Sequence, residues 1–308
     1  MRTQFLMAAT ALTVFGAQAQ EIDTAQLLIH YTFTHVRDTI NPDKPYSENM
    51  ILYVGKSASA FRSFDWQVQG ALFRKHLSTR TAENTDGSTK LNHLESGHLW
   101  TASGTEYYQY PNQTKLFTKE QLTNDYLVEE ALPTIDWKIC PDTASFGGLH
   151  CQKATAHFKG RDYIAWFCPD IPIHVGPWKL NGLPGVIVEA YDAKKEVVFK
   201  FVRAEKPPSS QGIVEKQPDE REKVFTNVRM DDLSDPNIII LPIRAIKATP
   251  KEFNKLKEAI RKNPHALDGS MMAAQGSNLQ GGSPPRGADA KVGPVVVINN
   301  PIELPDKK

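Results

Sequence analysis

The sequence has little excess charge, few cysteines, and no long apolar run beyond its N-terminal residues. Its 36 Lys and Arg residues nearly balance 35 Asp and Glu residues, and the net charge of +1 favours neither nucleic acid nor an anionic membrane as a partner. No later run is long enough to span a bilayer as a helix. The chain also lacks the Gly-x-Ser-x-Gly elbow and the Gly and Lys spacing of a nucleotide loop. The sequence therefore indicates no catalytic residue and no cofactor.

Turn-forming residues, by contrast, are plentiful. The chain has 21 Pro and 19 Gly, which favours β structure with many turns over helix bundles. Strand alternation is clear at Ile29, Tyr31 and Phe33. We expect a predominantly antiparallel β protein, with a curved sheet or open half-barrel and a few short helices.

The first residues have the pattern of a secretory leader. Arg2 supplies a positive charge, residues 5–15 are apolar, and Ala17-Gln18-Ala19 is a small-x-small cleavage site. Residues 1–19 are therefore predicted to be a signal peptide cut after Ala19. The mature chain is expected to be soluble and either periplasmic or secreted.

The rest of the chain divides by composition. Residues 20–265 are predicted to form a single β-rich domain that ends in a helix, with Thr249, Pro250 and Glu252 giving a capping-box start. Residues 266–292 are rich in Gly, Ser, Ala and Gln and are predicted to be a disordered linker. Residues 293–308 form an apolar tail, which we expect to return as a strand.

The densest set of turn signals lies between Cys151 and Asp192. Lys159 to Asp162 predicts a two-residue hairpin loop with Gly160 at its first central position. Ala156 would then face Ala165. The apolar face of this hairpin would comprise Ala154, Ala156, Phe158, Tyr163, Ala165 and Phe167, and the opposite face would carry Cys151, Lys153, Thr155, His157, Ile164, Trp166 and Cys168. Leu183 to Val186 predicts a type II turn, with positive φ at its Gly.

Several short motifs occur together in one order. They are WKI at 137–139, CQKA at 151–154, F-x-G-R at 158–161, AW at 165–166, IPI at 171–173, GP at 176–177, GLPGVIVEAYD from 182, and NNPIEL near the end. With these motifs the chain resembles the GLPGLI family of exported proteins, which are found mostly in Bacteroidetes. Val186-Ile187 replaces the Leu-Ile of the family's name. The resemblance implies an envelope protein of largely β structure, and no reaction, cofactor or catalytic residue.

The three cysteines allow several interpretations. A loop centred near residues 145–146 would place Cys140 opposite Cys151, which makes this pair the favoured disulfide in an oxidising compartment. Cys168 would lie diagonal to Cys151 and is the competing partner. A soft metal bound by Cys151, Cys168 and either His150 or His174 is a further alternative, although no C-x-x-C or H-x-x-x-H spacing supports it.

A binding surface is predicted around the Pro- and Gly-rich connection after residue 168. The candidate binding residues are Trp166, Pro177, Trp178, Leu183, Pro184 and Gly185. The leading hypothesis is an exported, non-catalytic protein that binds an apolar ligand or an envelope protein partner. One alternative is a periplasmic enzyme or metal-binding protein that uses Cys and His. The other is a structural or assembly factor without a small ligand.

Overall fold

The computed structural model describes residues 22–72, 102–122, 124–208, 235–262 and 298–306. The predicted leader, the whole of the predicted linker, and residues 293–297 and 307–308 of the predicted tail lie outside these ranges. Within them, no helix is long and apolar enough to cross a membrane.

The strands follow the alternating stretches of the sequence. They are β1 (Asp23–Thr24), β2 (Leu27–His35), β3 (Tyr46–Val54), β4 (Ser59–Ser63), β5 (Glu106–Tyr110), β6 (Lys115–Gln121), β7 (Asp125–Ala131), β8 (Lys138–Phe146), β9 (Leu149–Phe158), β10 (Arg161–Cys168), β11 (Val186–Asp192), β12 (Val197–Glu205), β13 (Ile238–Ile239) and β14 (Ile246–Ala248). Residues 64–72 are helical (α1), and a second helix is Pro250–Lys262 (α2). A 3-10 turn, Pro111–Gln113, joins β5 to β6.

Twelve strands form one open sheet, in the order β14-β7-β6-β5-β4-β3-β2-β12-β11-β10-β9-β8. Its pairs are antiparallel except β14 on β7. The predicted fold class, mainly β with an open antiparallel sheet, is confirmed. β1 and β13 pair separately as a two-stranded sheet.

Both faces of the middle strands are buried. In β3, Met50, Leu52 and Val54 pack into the main core, whereas Ile51 and Tyr53 pack into a second core on the other face. This alternation is what the period of two in an extended chain produces. The second core is completed by Phe64, where α1 begins, and by residues of the segment after β13.

The helix start near residue 249 is confirmed. The Thr249 hydroxyl donates to the Glu252 carboxylate over 2.7 Å, and the Thr249 backbone N–H donates to the same carboxylate over 3.0 Å. Phe253 is the buried residue of α2, and its ring lies 5.4 Å from that of Tyr126 on β7. The capping box therefore begins the helix where its apolar face meets the sheet.

The β9–β10 hairpin has the predicted position but a different turn. Its central residues are Lys159 and Gly160, both with positive φ (51° and 69°), which is a type I′ pattern and not the predicted type II′. Tyr163 therefore opposes Ala156, so the register is shifted by two residues from the prediction. A shift of two leaves each side chain on its predicted face, and most of the predicted apolar face is buried as expected.

Candidate functional site

The connection between β10 and β11, residues 169–185, folds into the main core, and we call it the plug. Trp178, Leu180 and Leu183 of the plug are at most 2% exposed. The Trp178 ring lies 5.7 Å from Phe158 on β9 and 6.5 Å from Phe199 on β12. The plug thus occupies the inner face of the sheet.

A single glutamine joins the plug to the distant half of the sheet. The Gln109 side chain on β5 donates from Nε2 toward the carbonyls of Gly176, Trp178 and Leu180, at 3.0–3.1 Å. β5 and β9 are far apart in the strand order, yet both contact the plug. The sheet must therefore curve around it. No local sequence pattern singles out Gln109, and sequence reasoning missed it.

The GLPG run depends on close packing at its last residue. Gly185 does not have positive φ, so the predicted type II turn is not formed. A Cβ at Gly185 would lie 2.2 Å from the Cys168 carbonyl oxygen. Gly182 is the residue of this run with positive φ, at 89°, and a Cβ there would meet nothing within 4 Å. Gly is therefore required at position 185, because the backbone of the plug passes directly against the backbone of Cys168.

The structure separates the six predicted binding residues. Pro177, Trp178, Leu183 and Gly185 are buried, whereas Pro184 is exposed and Trp166 is partly exposed. Buried side chains that already contact the core cannot also form a binding surface without a rearrangement. Trp166 is the candidate that combines an aromatic ring with access to solvent.

Trp166 belongs to a cluster of three rings, which we call the aromatic patch: Phe146, Trp166 and Phe201. The Phe146 ring lies 5.7 Å from Trp166 and 5.9 Å from Phe201, and all three side chains are partly exposed. Sequence reasoning identified Trp166 but not its two neighbours. They come together because the turn of the β8–β9 hairpin lies against β12. Gly147, in that turn, is so close to β12 that a Cβ added to it would lie 3.1 Å from the Phe201 ring.

Charged groups border the aromatic patch. Trp166 lies opposite Lys153 on β9 and Glu189 on β11. The Glu189 carboxylate accepts a hydrogen bond from the Phe201 backbone N–H at 3.1 Å, and burial raises its pKa despite that bond. Lys153 lies 3.5 Å from Asp142. Aromatic side chains bordered by charges are typical of protein–protein interfaces.

The cysteines differ from the predicted arrangement. Cys151 pairs with Ala144, so Cys140 does not lie opposite Cys151. Residues 140–142 instead form a bulge between Ile139 and Thr143, where the register of β8 on β9 shifts. This structure contains no disulfide, and of its three cysteines Cys151 and Cys168 are buried and Cys140 is partly exposed.

Neither candidate histidine joins Cys151 and Cys168 in a cluster of three metal ligands. The His150 side chain is 89% exposed and lies 3.9 Å from Asp170. Within the described ranges, no three His, Cys, Asp or Glu side chains are arranged to hold a metal ion.

On the outer face of the sheet, buried charged side chains of opposite sign form ion pairs with one another. Glu106 lies 3.1 Å from Lys119 and 3.4 Å from Arg62, and it accepts a hydrogen bond from the Tyr108 hydroxyl. Burial alone would raise the pKa of Glu106, but the charges of Lys119 and Arg62 hold it below its usual value. Such mutual neutralisation is typical of a structural network.

The described tail, residues 298–306, contains no strand and docks on a second buried network. Arg161 is 4% exposed and donates to Asp192 at 2.7 Å, to the Asn300 side chain at 2.7 Å and to the Pro301 carbonyl at 2.8 Å. His35 also hydrogen-bonds the Asn300 carbonyl at 2.8 Å. The Arg of the F-x-G-R motif therefore holds the NNPIEL motif.

Two open grooves lie elsewhere on the surface. One, of about 610 Å³, lies between β6, β7 and the start of α2 and is bordered by Lys115, Glu129 and Glu252. The other, of about 370 Å³, lies beside Tyr46, Glu48 and Asp65. Both have mixed polar and apolar walls and differ from the mainly apolar pockets that small ligands usually occupy.

Comparison with known proteins gives two kinds of similarity. No curated protein matches the chain. Two solved structures, described as PNGF-II in the P21 and C2 space groups, have TM-scores of 0.42 and 0.41 at 10% and 11% identity. Each match covers 60% of this chain, which spans 29% and 28% of the length of those chains.

The second similarity is to a family. Residues 157–189 match the model of a family described as "Protein of unknown function (Porph_ging)". This segment includes the β9–β10 turn and the whole plug. The match confirms the resemblance predicted from the motifs, because residues 157–189 are similar to the GLPGLI family of Bacteroidetes proteins.

Proposed function

We propose that this protein is an exported, non-catalytic binding protein and that its partner is another protein of the cell envelope. Export is supported by the leader pattern of residues 1–19, with cleavage after Ala19, and by the family of exported proteins that the chain resembles. The mature chain would act in the periplasm or outside the cell.

The filled inner face favours a protein partner over an apolar ligand. A curved open sheet offers an apolar ligand its concave face, as small β-barrels do. Here that face is covered by Trp178, Leu180 and Leu183 of the chain's own plug. A ligand would have to displace side chains that are almost fully buried.

The aromatic patch is the observation that carries the proposal. Three partly exposed rings, Phe146, Trp166 and Phe201, lie together beside the charged residues Lys153 and Glu189. Trp is among the residues that contribute most to binding at interfaces, and a surrounding polar rim excludes water from such contacts. The partner is therefore expected to present an apolar side chain to this patch.

The test places a photo-crosslinking aromatic amino acid at position 166 of the full chain in its native host. We expect a cross-link to one envelope protein, and we expect Trp166→Ala to weaken the purified complex about 30-fold. The matched control carries the cross-linker at Ile243, which is 79% exposed on a different segment. Equal cross-linking at both positions, or none at position 166, would contradict the proposal. The mass of the mature chain, expected to begin at Gln20, tests export separately.

A further inference from the structure

The two-residue shift of the β9–β10 register changes the relation between two cysteines. The β9–β10 pairing ends with Phe167 opposite Gln152. Continuing the same antiparallel register by one residue places Cys168 opposite Cys151. In the predicted register, Cys168 would have been diagonal to Cys151 and further away.

The two thiols are buried and in contact. Cys151 is 2% exposed and Cys168 is 0% exposed, and both belong to the main core. Burial raises the pKa of Cys151 to about 12, and the neighbouring Cys168 adds to this through its charge and a hydrogen bond between the side chains. The third cysteine, Cys140, lies in the β8 bulge, where its sulfur is 3.7 Å from the Lys138 carbonyl.

The backbone geometry of an opposed antiparallel pair suits a disulfide. Opposite residues in antiparallel strands have Cα atoms about 4.5–5.5 Å apart. Disulfides join residues whose Cα atoms are about 4.4–6.8 Å apart. Opposite positions such as those of Cys151 and Cys168 therefore lie within the Cα separation that a disulfide can join.

We propose that Cys151 and Cys168 form a cross-strand disulfide when the chain folds in an oxidising compartment, and that Cys140 remains a free thiol. The oxidant is a protein or small-molecule disulfide. One cysteine thiolate attacks it and releases a thiol. The other thiolate then attacks the mixed disulfide, forms the S–S bond and releases the second thiol. The pair loses two protons and two electrons, and the oxidant's disulfide is reduced to two thiols.

The bond must form during folding. The thiolate is the attacking species, and a buried thiol with a pKa near 12 is almost fully protonated at neutral pH. The folded core also shields both sulfurs from the oxidant. A chain that has already folded in the reduced state should therefore oxidise slowly.

The test counts free thiols in the full chain, purified from the periplasm without reductant, denatured and then alkylated. We expect one alkyl group on the wild type, none on Cys140→Ser and two on Cys168→Ser. Peptide mapping should join the peptide that contains Cys151 to the one that contains Cys168. Three alkyl groups on the unreduced wild type would overturn the proposal. No alkyl group on Cys168→Ser would overturn it as well, because Cys151 would then be paired with Cys140.

Because the compartment rests on the proposed export, the geometry is tested separately by refolding. The full chain is refolded in oxidised glutathione and, in parallel, in reduced glutathione. We expect the oxidised sample to lack one pair of thiols and to unfold about 5–10 °C higher. A chain that refolds under oxidising conditions and retains three thiols would refute the disulfide. Retention of residues 1–19 in cells would count only against export.

Discussion

Gly182 and Gly185 lie three residues apart in the plug, and they are glycines for different physical reasons. Gly182 has a left-handed backbone with open space around it, whereas Gly185 has an ordinary φ but passes directly against the Cys168 carbonyl. A side chain at position 182 would incur only the strain of a left-handed φ. A side chain at position 185 would overlap the backbone of Cys168, which cannot move aside without moving β10. The two positions therefore allow strain and steric overlap to be compared within one loop.

Gly185→Ala should destabilise the fold much more than Gly182→Ala. A Cβ at Gly185 would lie 2.2 Å from the Cys168 oxygen, and we expect a loss of about 3 kcal/mol or more in the free energy of unfolding. Ala at Gly182 should cost about 1 kcal/mol, because a left-handed φ is unfavourable for an L-residue. Urea denaturation of both variants checks this. Equal losses would mean that the close approach at Gly185 does not limit the packing of the plug.

At the scale of elements, the tail and the β9–β10 turn depend on each other. A Cβ at Gly160 would lie 2.7 Å from the Leu304 carbonyl oxygen, and the Leu304 N–H donates to the Lys159 carbonyl at 3.0 Å. The next residue, Arg161, is the buried cation that donates hydrogen bonds to Asn300 and Pro301 of the tail. The I′ turn and the tail thus form one structural unit, although more than 130 residues separate them in sequence.

Arg161→Ala should release the tail and destabilise the domain. The substitution leaves Asp192 buried without its cation, and the loss of one partner of a buried pair costs about 3–5 kcal/mol. Hydrogen exchange should show lost protection at residues 299–304, and urea denaturation should show the lower stability. The control, Lys115→Ala, removes an ion pair with Glu129 whose side chains are 40% and 54% exposed. It should cost less than about 1 kcal/mol. Protection of residues 299–304 in Arg161→Ala would contradict this role.

The elements themselves could be predicted because strand alternation and helix capping are local. Ala154, Phe158, Tyr163 and Ala165 were assigned to the core correctly even though the turn type was wrong, since a shift of two preserves the face. The burial of Cys151 is not predicted because the alternation places it on the opposite face, together with Lys153 and Thr155. Trp178 was placed on a surface because no local pattern shows that a connection folds inward to contact β12.

For the whole molecule, the central question is whether the curved sheet holds a ligand or only its own plug. An apolar carrier needs an empty or exchangeable space on the concave face. This chain fills that face with Trp178, which is 2% exposed, and ties the plug down through Gln109. The proposed binding surface is then the aromatic patch, whose partly exposed rings pack against the main core that the plug completes.

Trp178→Ala should therefore create a binding capacity that the wild type lacks. Removing a buried Trp side chain should cost about 3–5 kcal/mol and leave an apolar cavity. Such cavities stay dry and take up small apolar molecules such as benzene. We expect benzene to raise the Tm of Trp178→Ala and to leave that of the wild type unchanged. In the matched control, Trp166→Ala, the truncated ring is partly exposed and should leave no enclosed cavity. A wild-type protein stabilised by benzene would show that the plug yields to a ligand, and the concave face would then be a binding site in its own right.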